Sequence, residues 1–257
     1  MNTFEILAII GALSWLPHII QIIVKLFTKS VLSIIPDNNI EIGFTTLGPI
    51  INLSISFLSE KKMSLIKKVE LEIQHETMEL QKFTWKWFEE ILLEMDIPKT
   101  GSVPYKKNQK AIAILVNENG LTEKKIGFQK HDFLKENLSL IKKVFSDHIT
   151  LKSNKRELSE LKTYESYNNL LNNIKNSFTW KVGNYQGKIK VYLPKNRYFE
   201  KNIGFKISQV DLNSLVSNLD IAKNIIENTF IDNTKNVEQN WAWVNLDQTT
   251  DVDTIKL

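Results

Sequence analysis

Few side chains in this 257-residue chain are spaced for covalent or acid–base chemistry. The four histidines, His18, His75, His131 and His148, are scattered, and no two share metal-ligand spacing. With no cysteine, the chain has neither thiolate ligands nor a thiol nucleophile. His131-Asp132 and Asp147-His148 set a base beside a carboxylate, but adjacent residues on a helix point apart. Glu89, Glu90 and Glu94 could supply carboxylates, but a solvated helix face explains them more simply. There is no phosphate-cradling glycine loop, no GxSxG elbow and no HExxH stretch. The expectation is a protein that is not an enzyme and takes no metal and no cofactor.

Binding chemistry is better represented. Between Phe178 and Lys206 lie Lys181, Lys188, Lys190, Lys195, Arg197, Lys201 and Lys206, with one acid, Glu200. Trp180, Tyr185, Tyr192, Tyr198 and Phe199 are interleaved with them. Cations that follow phosphates, beside aromatic faces that stack on bases, suit a single-stranded nucleic acid or a nucleotide. The candidate oligonucleotide contacts are Trp180, Lys181, Lys188, Lys190, Tyr192, Lys195, Arg197 and Tyr198. In a strand, Lys188, Lys190 and Tyr192 share one face. An ordinary solvated sheet face, or a basic surface against anionic lipid, would have the same composition.

The elements that must position these residues are mostly strands. Ile51, Leu53, Ile55 and Phe57 alternate with Asn52, Ser54 and Ser56, and Val69, Leu71 and Ile73 alternate with Glu70, Glu72 and Gln74. Such alternation predicts half-buried strands. Shorter candidates are Val31–Ile35, Ile40–Phe44, Phe83–Phe88, Ala111–Val116 and Lys125–Gln129. The stretch FTWKWF at Phe83 can also begin a helix. About seven short strands in about 100 residues predict an immunoglobulin-like sandwich over residues 30–130. Residues 131–247 read as an α+β region. Two helices lie between His131 and Phe178, and a basic hairpin turns at Asn184–Gly187. A helix capped by Asp211 follows, then a last strand at Trp241 and Trp243. Residues 248–257 read as a polar tail.

The first 29 residues stand apart. From Ile6 to Val24 there is no charge, and a helix of that length spans roughly 28 Å, close to the hydrocarbon thickness of a bilayer. Gly11, Ser14, His18, Gln21 and Lys25 follow one another at spacings of 3 and 4, the seam spacing of packed helices. Small and polar residues on one stripe suit a helix interface or a pore lining. Pro17 should kink the helix beside His18. Lys25 and Lys29 follow the run and no basic side chain precedes it. The expectation is therefore a single-pass protein of the inner (cell) membrane with its body in the cytoplasm. The formal charge of +4 permits an anionic partner without demanding one.

This layout is an N-terminal span, the segment EIGFTTLGPIINLSISFLSEKKMSLIKKVELEIQHE and a basic C-terminal half. It resembles membrane-anchored effectors of bacterial anti-phage defence, in plan the Hailong-type ion channels. The resemblance implies a small oligomeric channel gated by DNA oligomers. It is one of layout over most of the chain, and no diagnostic motif matches residue by residue, so no functional position follows from it. Two function classes are expected. One is a homo-oligomeric membrane effector, a candidate ion channel, whose body binds a ligand. The other is a passive anchored module that docks a partner protein encoded nearby.

Overall fold

The structure is a computed structural model that describes residues 3–27, 31–97, 101–232 and 240–249. Side chains at 3–10, 12, 13, 25, 26, 90–97, 101–106 and 131 are outside the description. Those of Lys25, Glu90, Glu94 and His131 fall there, as do Lys29 and the tail beyond Thr249.

Helix α1 spans Thr3–Phe27 and contains Pro17. Its described side chains, Gly11, Ser14 to Val24 and Phe27, are all exposed. Among the described residues no helix is long and apolar enough to cross a membrane.

Eight strands follow in an almost unbroken run. They are β1 (Val31–Thr45), β2 (Gly48–Glu60), β3 (Ser64–Ile66), β4 (Lys68–His75), β5 (Gln81–Ile97), β6 (Gly101–Lys110), β7 (Ile114–Val116) and β8 (Gly120–Lys130). Helices α2 (His131–Ser153) and α3 (Glu165–Ser177) come next. The chain then returns to strands β9 (Gly183–Tyr192) and β10 (Tyr198–Ile207), helix α4 (Gln209–Phe230) and strand β11 (Trp243–Asp247).

The protein is mainly β with an α+β C-terminal region, but the strands do not form an immunoglobulin-like sandwich. Among the described residues they join in one antiparallel sheet of order β10-β9-β4-β5-β8-β2-β1-β11, with β6 on β5. Only β3 and β7 form a separate pair. The two ends of the sheet nearly meet. Gln248, just past β11, bridges to Phe205 of β10, and the Thr249 N–H donates to the Gly204 carbonyl at 2.9 Å. Strands from residues 30–130 and from residues 131–247 thus share one curved sheet. Alternation of apolar and polar residues chooses a strand's face but says nothing of its neighbour.

That alternation holds where it was expected. Leu53, Ile55 and Phe57 of β2 and Val69, Leu71 and Ile73 of β4 are buried, while the intervening residues face outward. Inside the sheet the Tyr185 ring stacks on Phe205 at 4.9 Å and lies 4.7 Å from His75. FTWKWF is strand, not helix. Helices α2, α3 and α4 add a second apolar layer through Val144, Leu151, Leu170, Ile174, Leu215 and Ile226.

Two local expectations are corrected. Asn184–Gly187 lies within the first half of β9 and is not a turn. Gly187 is small because an added Cβ would lie 2.9 Å from the Glu72 carbonyl oxygen. The hairpin turns at Pro194–Asn196, where Lys195 and Asn196 adopt positive φ of 62° and 56°. Helix α4 is capped by Ser208. Asp211 is its third helical residue and completes a reciprocal capping box with Ser208.

Candidate functional site

The structure divides the sequence-predicted basic site rather than assembling it. Trp180 is buried in the core and donates through Nε1 to the Gly43 carbonyl at 3.0 Å, so it presents no face to a base. Lys188, Lys190 and Tyr192 do share an outer face, but it is not a free basic field. Strand β9 lies between β10 and β4, and β4 supplies two carboxylates that lie more than a hundred residues away in sequence. Lys190 pairs with Glu72 at 2.8 Å and Glu200 at 3.9 Å, and Lys188 pairs with Glu200 at 2.8 Å. The Tyr192 hydroxyl donates to Glu70 at 2.6 Å. Lys68 reaches Glu70 at 2.5 Å, and Lys82 reaches Glu72 at 3.6 Å.

Cross-strand register explains this ladder. Glu200, Lys190 and Glu70 lie in one row across the sheet, and Lys188, Glu72 and Lys82 in the next, with signs alternating along both. The electrostatics follow. The Lys190 hydrogen bond holds Glu72 below the ordinary carboxylate value, outweighing its burial. Burial alone would raise Glu70, but its bonds to Lys68 and Tyr192 bring it below that value. The Glu72 bond raises Lys190, and the Tyr192 phenol is pushed up to about 12, first by its bond to Glu70 and then by burial. Lysines held this way have few counterions to release. Lys181 and Lys195 stay exposed, as does Tyr198. Arg197 sits over the Phe199 ring at 5.8 Å.

Two of the described histidines, His75 and His148, hold backbone segments together. His75 accepts at Nδ1 from the Thr77 N–H (3.2 Å) and donates from Nε2 to the Val182 carbonyl (3.0 Å). His148 donates from Nδ1 to the Phe230 carbonyl at 2.8 Å, tying α2 to the end of α4. Among the described residues no group of three or more His, Cys, Asp or Glu side chains could hold a metal ion. On α1, Gly11 has nothing within 4 Å of an added Cβ, and the Ser14 hydroxyl donates back to the Gly11 carbonyl at 2.7 Å. His18 and Gln21 are exposed on the same helix.

A larger concave site lies elsewhere, on the outer face of β1, β2, β8 and β5. It is an open cleft of about 560 Å³ with Trp87, Trp241 and Trp243 among its walls. Its floor is polar. Lys125 lies between Glu41 (3.2 Å) and Glu89 (3.7 Å), and the Asn52 amide donates to Glu41 at 2.7 Å. The buried side-chain oxygen Oδ1 of Asn52 has no hydrogen-bond partner.

Four local devices build this cleft. Two are glycines under tryptophans. The Trp243 ring occupies the space a Cβ on Gly43 would take, 2.4 Å from it, and Trp87 covers Gly127 at 2.0 Å. The third is a bulge in β5. Register with β8 slips between Trp85 and Trp87, so Trp85 and Phe88 face the core while Trp87 faces out. The fourth is Asn218 of α4, fully buried. It exchanges hydrogen bonds of 2.8 Å with both the N–H and the carbonyl of Ala242, fixing the backbone between Trp241 and Trp243. Sequence reasoning named both tryptophans only as strand markers. The available signal was the isolated glycines Gly43 in β1 and Gly127 in β8, which mark places where a neighbour approaches closely.

No family model matches the chain, and no curated protein matches it in sequence.

Proposed function

We propose that the chain is a membrane-anchored, self-associating effector whose sheet body binds a ligand, with α1 in the bilayer and the body in the cytoplasm. The observation that carries this reading is the exposure of α1. Trp15 is 66% exposed and Phe27 78%, and Leu16, Ile19, Ile20, Ile22, Ile23 and Val24 are exposed with them. Helices α2 to α4 bury an apolar face on the sheet or on each other, and none of the described side chains of α1 is buried. An apolar helix face of this size in water marks a surface covered by lipid or by another protein. The uncharged run begins at Ile6, ahead of the described side chains, and Lys25 and Lys29 end it on one side.

Self-association would run along Gly11, Ser14, His18 and Gln21. The open space at Gly11 lets a second helix approach closely. In an oligomer the same stripe would line a pore, which is the candidate-channel form of this reading. The test is mass in uncharged detergent with leucine substitutions. Gly11→Leu or His18→Leu should reduce the assembly, and the same change at Ile19 or Ile20 should not. Equal effects on both faces would favour a passive anchor that carries a protein-docking module.

A further inference from the structure

We propose that the tryptophan-walled cleft is a carbohydrate site that takes a neutral pyranose ring or a short oligosaccharide. The proposal names the ligand class of the body's ligand-binding reading and rests on that reading. Its test reads binding alone, so membrane insertion and ligand class can fail separately.

The composition of the cleft selects this chemistry. Indoles seated over Gly43 and Gly127 offer apolar surface to a ring that is itself apolar on one face. A pyranose has such a C–H face, with a rim of hydroxyls that both donate and accept. The floor answers that rim with the Glu41–Lys125–Glu89 set and the Asn52 side-chain amide beside Glu41.

Charge argues against the alternatives. An anionic ligand would meet Glu41 and Glu89, with Lys125 already engaged by both. An organic cation would have to sit beside Lys125, and Lys110 pairs across the strands with Trp87. An uncharged ring meets neither problem. The volume falls within the range of small-molecule sites, most of whose surface is apolar with a few placed polar groups.

The supports are rigid. Asn218 fixes the Trp241–Trp243 segment. The Asn137 and Gln129 side-chain amides donate to the Thr46 and Leu47 carbonyls, holding the β1–β2 turn at the mouth of the cleft. Pre-organised walls of this kind lower the ordering cost of binding.

The test uses full-length protein in an uncharged, non-glycosidic detergent and isothermal titration calorimetry. The probes are cellobiose, maltose, lactose, mannobiose and di-N-acetylchitobiose, with adenosine and choline as comparison arms. At least one disaccharide should saturate, with Kd of about 0.1–10 mM. Trp243→Leu and Glu89→Gln should each weaken it about tenfold or more while urea unfolding stays cooperative. If Trp243→Leu fails to fold, Glu89→Gln and Asn52→Ala provide the same reading. No saturation by any of the five sugars overturns the proposal. So does undiminished sugar binding in the folded variants, or tighter binding of choline or adenosine than of every sugar.

Discussion

Gly127→Ala should unseat Trp87 and destabilise the protein by about 2 kcal/mol. Gly127 has no left-handed backbone angle, so alanine fits its φ and ψ without strain. The obstacle is the indole. The new Cβ would sit 2.0 Å from Trp87 Cε2 and 2.2 Å from Nε1, where ordinary contact begins near 3.4 Å. The ring must withdraw by about 1.4 Å or swing into solvent. Trp87 is half-buried, so it can leave at the cost of part of its contact area. Exposing about 100 Å² of a buried indole at about 25 cal/mol per Å² gives about 2.5 kcal/mol, inside the usual 1–3 kcal/mol for overpacking. The assay is urea unfolding followed by far-UV circular dichroism, as a double-mutant cycle with Trp87→Ala. Without the indole, Gly127→Ala should be neutral or gain about 0.5 kcal/mol from a stiffer unfolded chain. An equal penalty in both backgrounds would refute the seating of the ring on the glycine.

The ladder on β10, β9, β4 and β5 makes two further predictions. Glu72 has a depressed folded pKa, so its ion pairs stabilise fully above the ordinary value of 4.5, and that contribution is lost as pH falls through the lower folded value. Glu72→Gln should therefore lower the urea midpoint at about pH 6 and flatten its decline toward about pH 3; curves that stay parallel to the parent would contradict the ladder. Lys190→Ala should lower thermal stability and leave the salt slope of any oligonucleotide binding unchanged, since this lysine is engaged with carboxylates. A slope reduced by about 0.7 would show that it contacts phosphate instead.

What the sequence made legible was mostly local. Period-two alternation located β2 and β4 and the face each buries, and polar helical periods located α2 and α3. Pairing was not legible. Glu70 and Glu72 read only as the polar side of β4, and nothing in the chain says that β9 lies beside them. Lys188 and Lys190 therefore looked unopposed. Asn184 to Gly187 carries ordinary turn residues, yet Gly187 is there because the backbone of β4 passes too close for a side chain. The true turn uses Lys195 and Asn196 at positive φ, which lysine rarely signals. The cleft was hidden for a similar reason. One extra residue at Lys86 turns Trp87 outward, and a bulge leaves no fixed mark in a sequence.

The proposed placement of α1 in a bilayer, with the sheet body on the cytoplasmic side, is tested most directly by thiol accessibility. The chain has no cysteine, so an introduced one is the sole thiol. Ile20→Cys places it on α1, and Lys206→Cys places it on the exposed face of β10. A membrane-impermeant maleimide is applied to intact cells, to cells with the inner membrane opened, and after denaturation in SDS. The account predicts that Lys206→Cys labels once the membrane is opened, whereas Ile20→Cys labels only in SDS. Equal labelling of both positions in opened cells, with the protein recovered in the soluble fraction, would contradict it.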